Sequence, residues 1–133
     1  MLVRAHAPPD AGRMTQARKQ AIGQYGERVA AKYLQDLGMA ILETNWSCRY
    51  GEVDIVARDG ATLVICEVKT RTGSSHGTGL EAITGRKATH LRRLAAYWLE
   101  VHQVQPEAVR IEVVSVLVPP RGAPQIERVV GVA

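Results

Sequence analysis

The sequence predicts an α/β protein: a mixed central sheet flanked by helices, in the order α-β-β-β-α-β. Three observations carry this. Apolar residues recur at spacings of three and four between Thr15 and Leu37. Two short apolar, strand-like runs flank Asp59-Gly60. A second helical pattern, Thr84 to His102, then stands between the third strand and the fourth. A helix between consecutive strands makes a crossover, which implies a mixed sheet with helices packed on its faces.

The first helix is read from Ile22, Tyr25, Val29, Tyr33 and Leu37, with Ala30 and Leu34 widening the stripe. Gly38 follows as a C-terminal cap. Gly23 and Gly26 are poor helix formers, so they point to close backbone packing or a bend near Glu27. Ala40–Trp46 reads as the first strand, with Leu42, Thr44 and Trp46 on one face. Glu52–Arg58 and Thr62–Arg71 are the next two, and Asp-Gly between them is a strong hairpin signal. The small polar run Gly73–Gly79 is a loop. The second helix shows its stripe at Leu91, Leu94, Ala95, Trp98 and Leu99. Val109–Val118 is a β-branched strand, "PPRGAP" breaks it, and "QIERVVGV" offers one more strand.

The 133 residues suit one core, read as a single domain over 15–133. Residues 1–14 are rich in Ala, Pro and Arg without periodicity and read as a disordered extension. Hydrophobic residues make up 46% and charged residues 23%, as in ordinary globular proteins. No apolar run approaches the roughly 20 residues of a membrane helix, and the first residues do not resemble a secretory signal. The expectation is a cytoplasmic protein with no membrane partner. Cys48 and Cys66 have no second Cys or His at zinc-ligand spacing. The net charge of +4 suits a nucleic-acid partner without requiring one.

Acids inside the apolar strands demand an account. Glu67 and Lys69 share a strand face, about 7 Å apart along it. Asp54 would pair with residue 65 across a two-residue loop, or with Glu67 across a four-residue loop. Both registers put Asp54 and Glu67 on one face, whereas a three-residue loop would separate them. Two close carboxylates repel, so they need a cation between them or a shared proton. Oxygen ligands with open positions suit Mg²⁺ or Mn²⁺. Lys69 beside them can orient a water or stabilise a phosphate, which fits metal-assisted phosphodiester hydrolysis. Glu-x-Lys alone is more often a salt bridge on a solvated sheet face. The apolar context of "VDIV" and "LVICEV" tips the balance, because buried acids need partners.

With Asp54 followed by "EVK" at Glu67–Lys69, in this element order, the chain resembles the PD-(D/E)xK nuclease superfamily and its restriction-endonuclease-like fold. It is most similar there to the YraN-like family of uncharacterised bacterial proteins. Matching segments are "GQYGERVAAKYLQDLG" (Gly23–Gly38), Asn45, "GEVDIVARDG" (Gly51–Gly60), "LVICEVKTR" (Leu63–Arg71) and Lys87. Similarity in fold extends to archaeal Holliday-junction resolvases. The resemblance implies Asp54, Glu67 and the Val68 carbonyl as metal ligands, Lys69 as the catalytic lysine, and Glu27 as the helical acid completing the site. By helical position Glu27 lies at the flank of the apolar stripe, where it can reach inward or stay solvated. The chain departs from the superfamily at Val53, where a proline is usual, and at Glu112, where the family pattern has Asp. Glu112 is assigned no catalytic role. Glu52 is either a supporting acid or an exposed strand end.

"TGRKATHLRR" (Thr84–Arg93) concentrates positive charge. Arg86, His90 and Arg93 form one helical stripe, while Lys87 continues the apolar stripe and can face the sheet. Together with Arg71 these are the candidate nucleic-acid-binding residues, contacting phosphates without reading sequence; the alternative is a solvated basic face. Tyr50 can stack on a base or simply pack. The expected function is a Mg²⁺- or Mn²⁺-dependent endonuclease acting on DNA, including branched or damaged DNA. The rival is a non-catalytic nucleic-acid-binding module on the same fold. Cutting a junction takes two sites, which favours a homodimer.

Overall fold

In the computed structural model, residues 15–73 and 85–131 are described. Readings that fall on 1–14 and on 74–79 lie outside them. Helix α1 (Gln16–Asp36) leads into strands β1 (Ala40–Cys48), β2 (Gly51–Asp59) and β3 (Thr62–Thr72). Helix α2 (Gly85–His102), β4 (Ala108–Val118) and β5 (Gln125–Val130) follow. The five strands form one sheet in chain order. β3 and β4 run parallel, and every other neighbouring pair is antiparallel. The sheet is therefore mixed, and α2 is the crossover between its parallel strands.

The helices cover opposite faces. Ala30 and Leu34 of α1 pack with Ile55, Ala57, Val64, Cys66, Val114 and Val116. Leu91, Leu94, Ala95 and Trp98 of α2 pack with Val53, Val56, Leu63, Ile65 and Ile111. Thr15 caps α1, its Oγ1 accepting the Arg18 N–H at 3.1 Å. Gly38, at φ 98°, ends the helix, and Met39 N–H returns to the Leu34 carbonyl.

The buried stripe of α1 is narrower than the periodicity suggests. Gly26, Ala30 and Leu34 are buried, whereas Tyr25 and Leu37 are exposed. The cause is close approach: a Cβ on Gly26 would overlap the Thr70 side chain of β3. The small residues face the sheet and the larger rings move to the flanks. Gly23 has open space around its missing side chain, so packing demands a glycine only at Gly26.

Glu112 is fully buried on β4 and accepts from Arg110 Nε at 2.6 Å and from Arg128 Nε at 2.7 Å. Arg110 also donates to Asp59 at 2.7 Å. These ion pairs tie β5 and the β2–β3 turn to the middle of the sheet, so Glu112 has a structural partner set. Both cysteines are free. Among the described residues, no helix is long and apolar enough to cross a membrane.

Candidate active site

The site forms where two strands lose their regular alternation together. Thr44 pairs with Ile55 and Trp46 pairs with Val53, so Asn45 and Asp54 lie opposite each other between these pairs. Thr44 lines a 280 Å³ cavity against α1, and Ile55 belongs to the α1-side core. Trp46 and Val53 instead pack on the α2 side. Positions two apart should share a face, and here they do not. Asn45, at φ 53°, takes up the turn-over in β1; Asn tolerates this left-handed conformation better than most residues. The expected common face for Leu42, Thr44 and Trp46 is therefore not formed. The register also shifts between Ile41 and Glu43, leaving Leu42 exposed.

The hairpin register is even. Asp59 pairs with Thr62 around Gly60-Ala61, and the β2–β3 ladder runs up to Ile55 and Cys66. Extended one step, it would place Asp54 opposite Glu67, as the longer of the two even loops predicts. The regular ladder stops there. Asp54 Oδ2 accepts the Val68 N–H at 2.7 Å, so a side chain takes the place of a strand carbonyl. Burial pushes the Asp54 carboxyl up. The Val68 N–H pulls it down, Glu67, Glu27 and Glu52 push it up again, and it titrates at about 6.

Glu67 is buried, with one oxygen facing two lysines. Its Oε2 lies 3.4 Å from Lys69 Nζ and 3.3 Å from Lys87 Nζ. Lys69 comes from the same strand and Lys87 from the first turn of α2. The reading of Lys87 as a sheet-facing lysine holds, and it reaches the candidate site itself.

Glu27 sits half-buried on the cavity that it shares with Gln24, Arg28, Ala31, Thr44 and Asn45. The Gly26–Thr70 approach brings its turn of helix down onto the sheet, and its charge is felt at Asp54. Glu52 is exposed and acts on Asp54 in the same way. Val68 meets Asp54 through its N–H. Arg71 is half-buried on β3, and Arg86 and Arg93 are exposed on α2. Among the described residues, no group of three or more His, Cys, Asp and Glu side chains could together hold a metal ion. A Mg²⁺ ion needs only one or two carboxylates when water and phosphate complete its shell. Asp54 and Glu67 supply hard oxygen donors of that kind. A carboxylate pushed up by burial and then by its acidic neighbours is one that a cation would relieve, so the residues present fit such an ion.

An aromatic and basic surface between the β1–β2 turn and α2 was only partly visible in the sequence. Arg49, Tyr50, Arg93, Ala96, Tyr97 and Glu100 line a furrow of 390 Å³. Tyr50 meets Tyr97 edge-on at 5.1 Å, and Arg49 lies 4.9 Å from the Tyr50 ring centre. Sequence reading found Tyr50 and Arg93 but missed Arg49 and Tyr97. Extending the Arg86, His90, Arg93 stripe by four positions would have reached Tyr97. His90 is half-buried against Gly51, where a Cβ would come within 2.9 Å of its Nε2.

The chain matches a family model described as Uncharacterised protein family UPF0102 over residues 26–116. This span includes all the acids and lysines of the site. The chain is 54% identical over 116 residues to a UPF0102 protein of Kineococcus radiotolerans, covering 86% of this chain and 95% of that one. It is 51% identical over 118 residues to a UPF0102 protein of Frankia alni, covering 89% and 98%. Against a UPF0102 protein of Streptomyces coelicolor it is 53% identical over 115 residues, covering 85% and 88%.

Proposed function

Since the chain belongs to the UPF0102 family, whose name carries no activity, we propose from its own site that it is a Mg²⁺- or Mn²⁺-dependent endonuclease of the restriction-endonuclease-like kind, acting on DNA. One observation carries the reading. Asp54, anchored by the Val68 N–H, feels the charge of Glu67, and Glu67 faces the ammonium groups of Lys69 and Lys87. Two carboxylates and two lysines from three elements are more than a structural ion pair requires. The element order supports the fold-level reading: the acids lie on the second and third strands, beside a helical crossover to the fourth.

When bound, the divalent ion would supply Lewis-acid stabilisation of the phosphoryl oxygens and lower the pKa of a bound water. Asp54 and Glu67 would hold it, with the Val68 carbonyl as a further candidate ligand. The Val68 N–H fixes the Asp54 carboxylate in one orientation, leaving Oδ1 for other contacts. Lys69 places a positive charge beside the acids, where it can orient a water or meet charge developing on phosphate. Lys87, from α2, offers a second ammonium to the phosphate oxygens. Arg71, Arg86 and Arg93 add sequence-independent attraction for the backbone.

A second reading, binding without turnover, draws on the absence of a three-acid cluster among the described residues. One experiment separates the two. Labelled duplex, flap, single-stranded and four-way DNA are incubated with the protein and Mg²⁺ or Mn²⁺. Cleavage that Lys69→Ala abolishes supports the nuclease. Absence of cleavage on every substrate, or equal cleavage by the variant, overturns it.

A further inference from the structure

We propose that the furrow between the β1–β2 turn and α2 binds an unpaired nucleotide, with the base stacked on Tyr50 and Tyr97 and the backbone held by Arg49 and Arg93. This deepens the nucleic-acid reading above and rests on it, since it names the form of substrate that the site receives.

The position of the furrow follows from two close contacts. Gly51, at φ 143°, has no side chain to keep α2 away; a Cβ there would come within 2.9 Å of His90 Nε2. The turn residues Arg49 and Tyr50 are thereby set directly against α2. Tyr50 is 47% exposed, a large ring that the core does not claim. It stands edge-on to Tyr97, which in turn lies 6.1 Å from Trp46. The Arg49 guanidinium donates to the Tyr50 hydroxyl at 2.8 Å and rests against its ring. Rigid aromatic rings beside guanidinium groups are the combination that holds single strands: bases stack on the rings and cations track the phosphates. Base stacking does not depend on sequence, so no base-reading contacts are needed.

Charge sets the direction. Along α2 the order from the candidate active site is Lys87, Arg93, Tyr97, Glu100. Glu100 lines the furrow three residues beyond Tyr97 on α2 and repels phosphate, which favours a backbone leaving toward Arg93 and Lys87. From Tyr50 to Asp54 is four strand residues, about 13 Å. From Lys87 to Arg93 is six helical residues, about 9 Å. At about 3.4 Å each, these distances correspond to roughly four and roughly three stacked nucleotides, respectively. A strand seated in the furrow therefore passes the Asp54–Glu67 pair a few nucleotides away. Rigid duplex bases stack on one another and have no face to offer Tyr50. The furrow thus favours a frayed end, flap or gap over intact duplex.

The test is binding in EDTA, so that cleavage plays no part. Three labelled probes are compared at one salt concentration: a twelve-nucleotide thymidine strand, a strand of equal length made of abasic units, and a twelve-base-pair duplex. The full chain is expected to bind the thymidine strand about tenfold more tightly than the abasic strand. Tyr50→Ala should remove that difference, while Tyr50→Trp keeps it. Arg93→Ala should weaken both single strands equally. Tyr50 lies in an exposed turn, and thermal melting checks that each variant is folded. Equal binding of thymidine and abasic strands by the wild type overturns the proposal. So does unchanged binding by Tyr50→Ala, tighter binding of duplex, or no binding of any probe. Base-dependent binding without metal-dependent cleavage would remove the nuclease reading alone. Cleavage without base-dependent binding would remove the furrow alone.

Discussion

The Asp54 carboxylate accepts the backbone N–H of Val68 at 2.7 Å, at the point where the β2–β3 ladder ends. A strand N–H that would otherwise seek a carbonyl is satisfied by a side chain. The bond does two things at once. It lets the two strands part without leaving a buried orphan donor, and it locks the orientation of an acid whose carboxyl burial pushes up.

The first prediction concerns pH. Asp54 titrates at about 6 in the folded, metal-free protein and near 3.9 when unfolded. Between these values the folded state holds more protons than the unfolded one, so stability falls as pH rises from about 4 to 6 and then levels. The contribution amounts to about 3 kcal/mol at most. Asp54→Asn keeps an oxygen for the Val68 N–H but carries no charge. Urea melts of the two proteins across pH 4 to 7 should therefore diverge, the wild type losing stability relative to the variant. Parallel curves would contradict the assignment.

Metal binding should counter that loss. Near pH 7.5 the melting temperature is expected to rise with millimolar Mn²⁺, because an ion held only by the folded state stabilises it. Asp54→Ala and Glu67→Ala should each abolish the rise. Lys69→Ala should keep it while cutting DNA cleavage by about 100-fold or more. An unchanged rise in Asp54→Ala would remove the acid pair from the metal reading.

Gly26 is predicted to admit no larger residue. A methyl group there meets the Thr70 side chain, so Gly26→Ala should cost about 1–3 kcal/mol by overpacking. Gly23→Ala meets nothing and should be neutral or slightly stabilising through its better helix propensity. Thr70→Ala should recover part of the loss when combined with Gly26→Ala. Chemical denaturation measures all three, and full stability of Gly26→Ala would refute the close approach.

Glu112 should prove a stability residue only. Replacing it with alanine removes the acceptor that Arg110 and Arg128 share: Arg110 keeps Asp59, whereas the Arg128 guanidinium loses its carboxylate partner. The expected cost is about 3 kcal/mol or more. Metal response and DNA binding of the folded variant should match wild type at 15 °C. A selective loss of either would give Glu112 a part in the site.

The elements themselves were readable because each depends on local pattern. Helical periodicity placed α1 and α2, Asp-Gly placed the hairpin, and the crossover helix implied the parallel pair. Lys87 was legible for the same reason, since it continues the apolar stripe of α2 and so faces the sheet. What misled was strict alternation. Leu42, Thr44 and Trp46 read as one face, but a left-handed Asn45 and a register shift at Ile41–Glu43 divide them. Tyr25 and Leu37 read as core, but the close seat of Gly26 on β3 pushes them to the flank.

Residue order alone left the hairpin loop open at two, three or four residues, but it determined the strand and helix sequence and the presence of Asp54, Glu67 and Lys69 within otherwise apolar strands. These follow from interactions a few residues apart. Only the tertiary structure decided that Asp54 turns onto Val68, that Lys87 shares Glu67 with Lys69, and that Arg49 and Tyr50 lie against Tyr97. Each depends on how closely separate elements approach. The approach of the two helices to the sheet is set by missing side chains at Gly26 and Gly51, whose partners, Thr70 and His90, lie tens of residues away in the chain and cannot be read from local spacing.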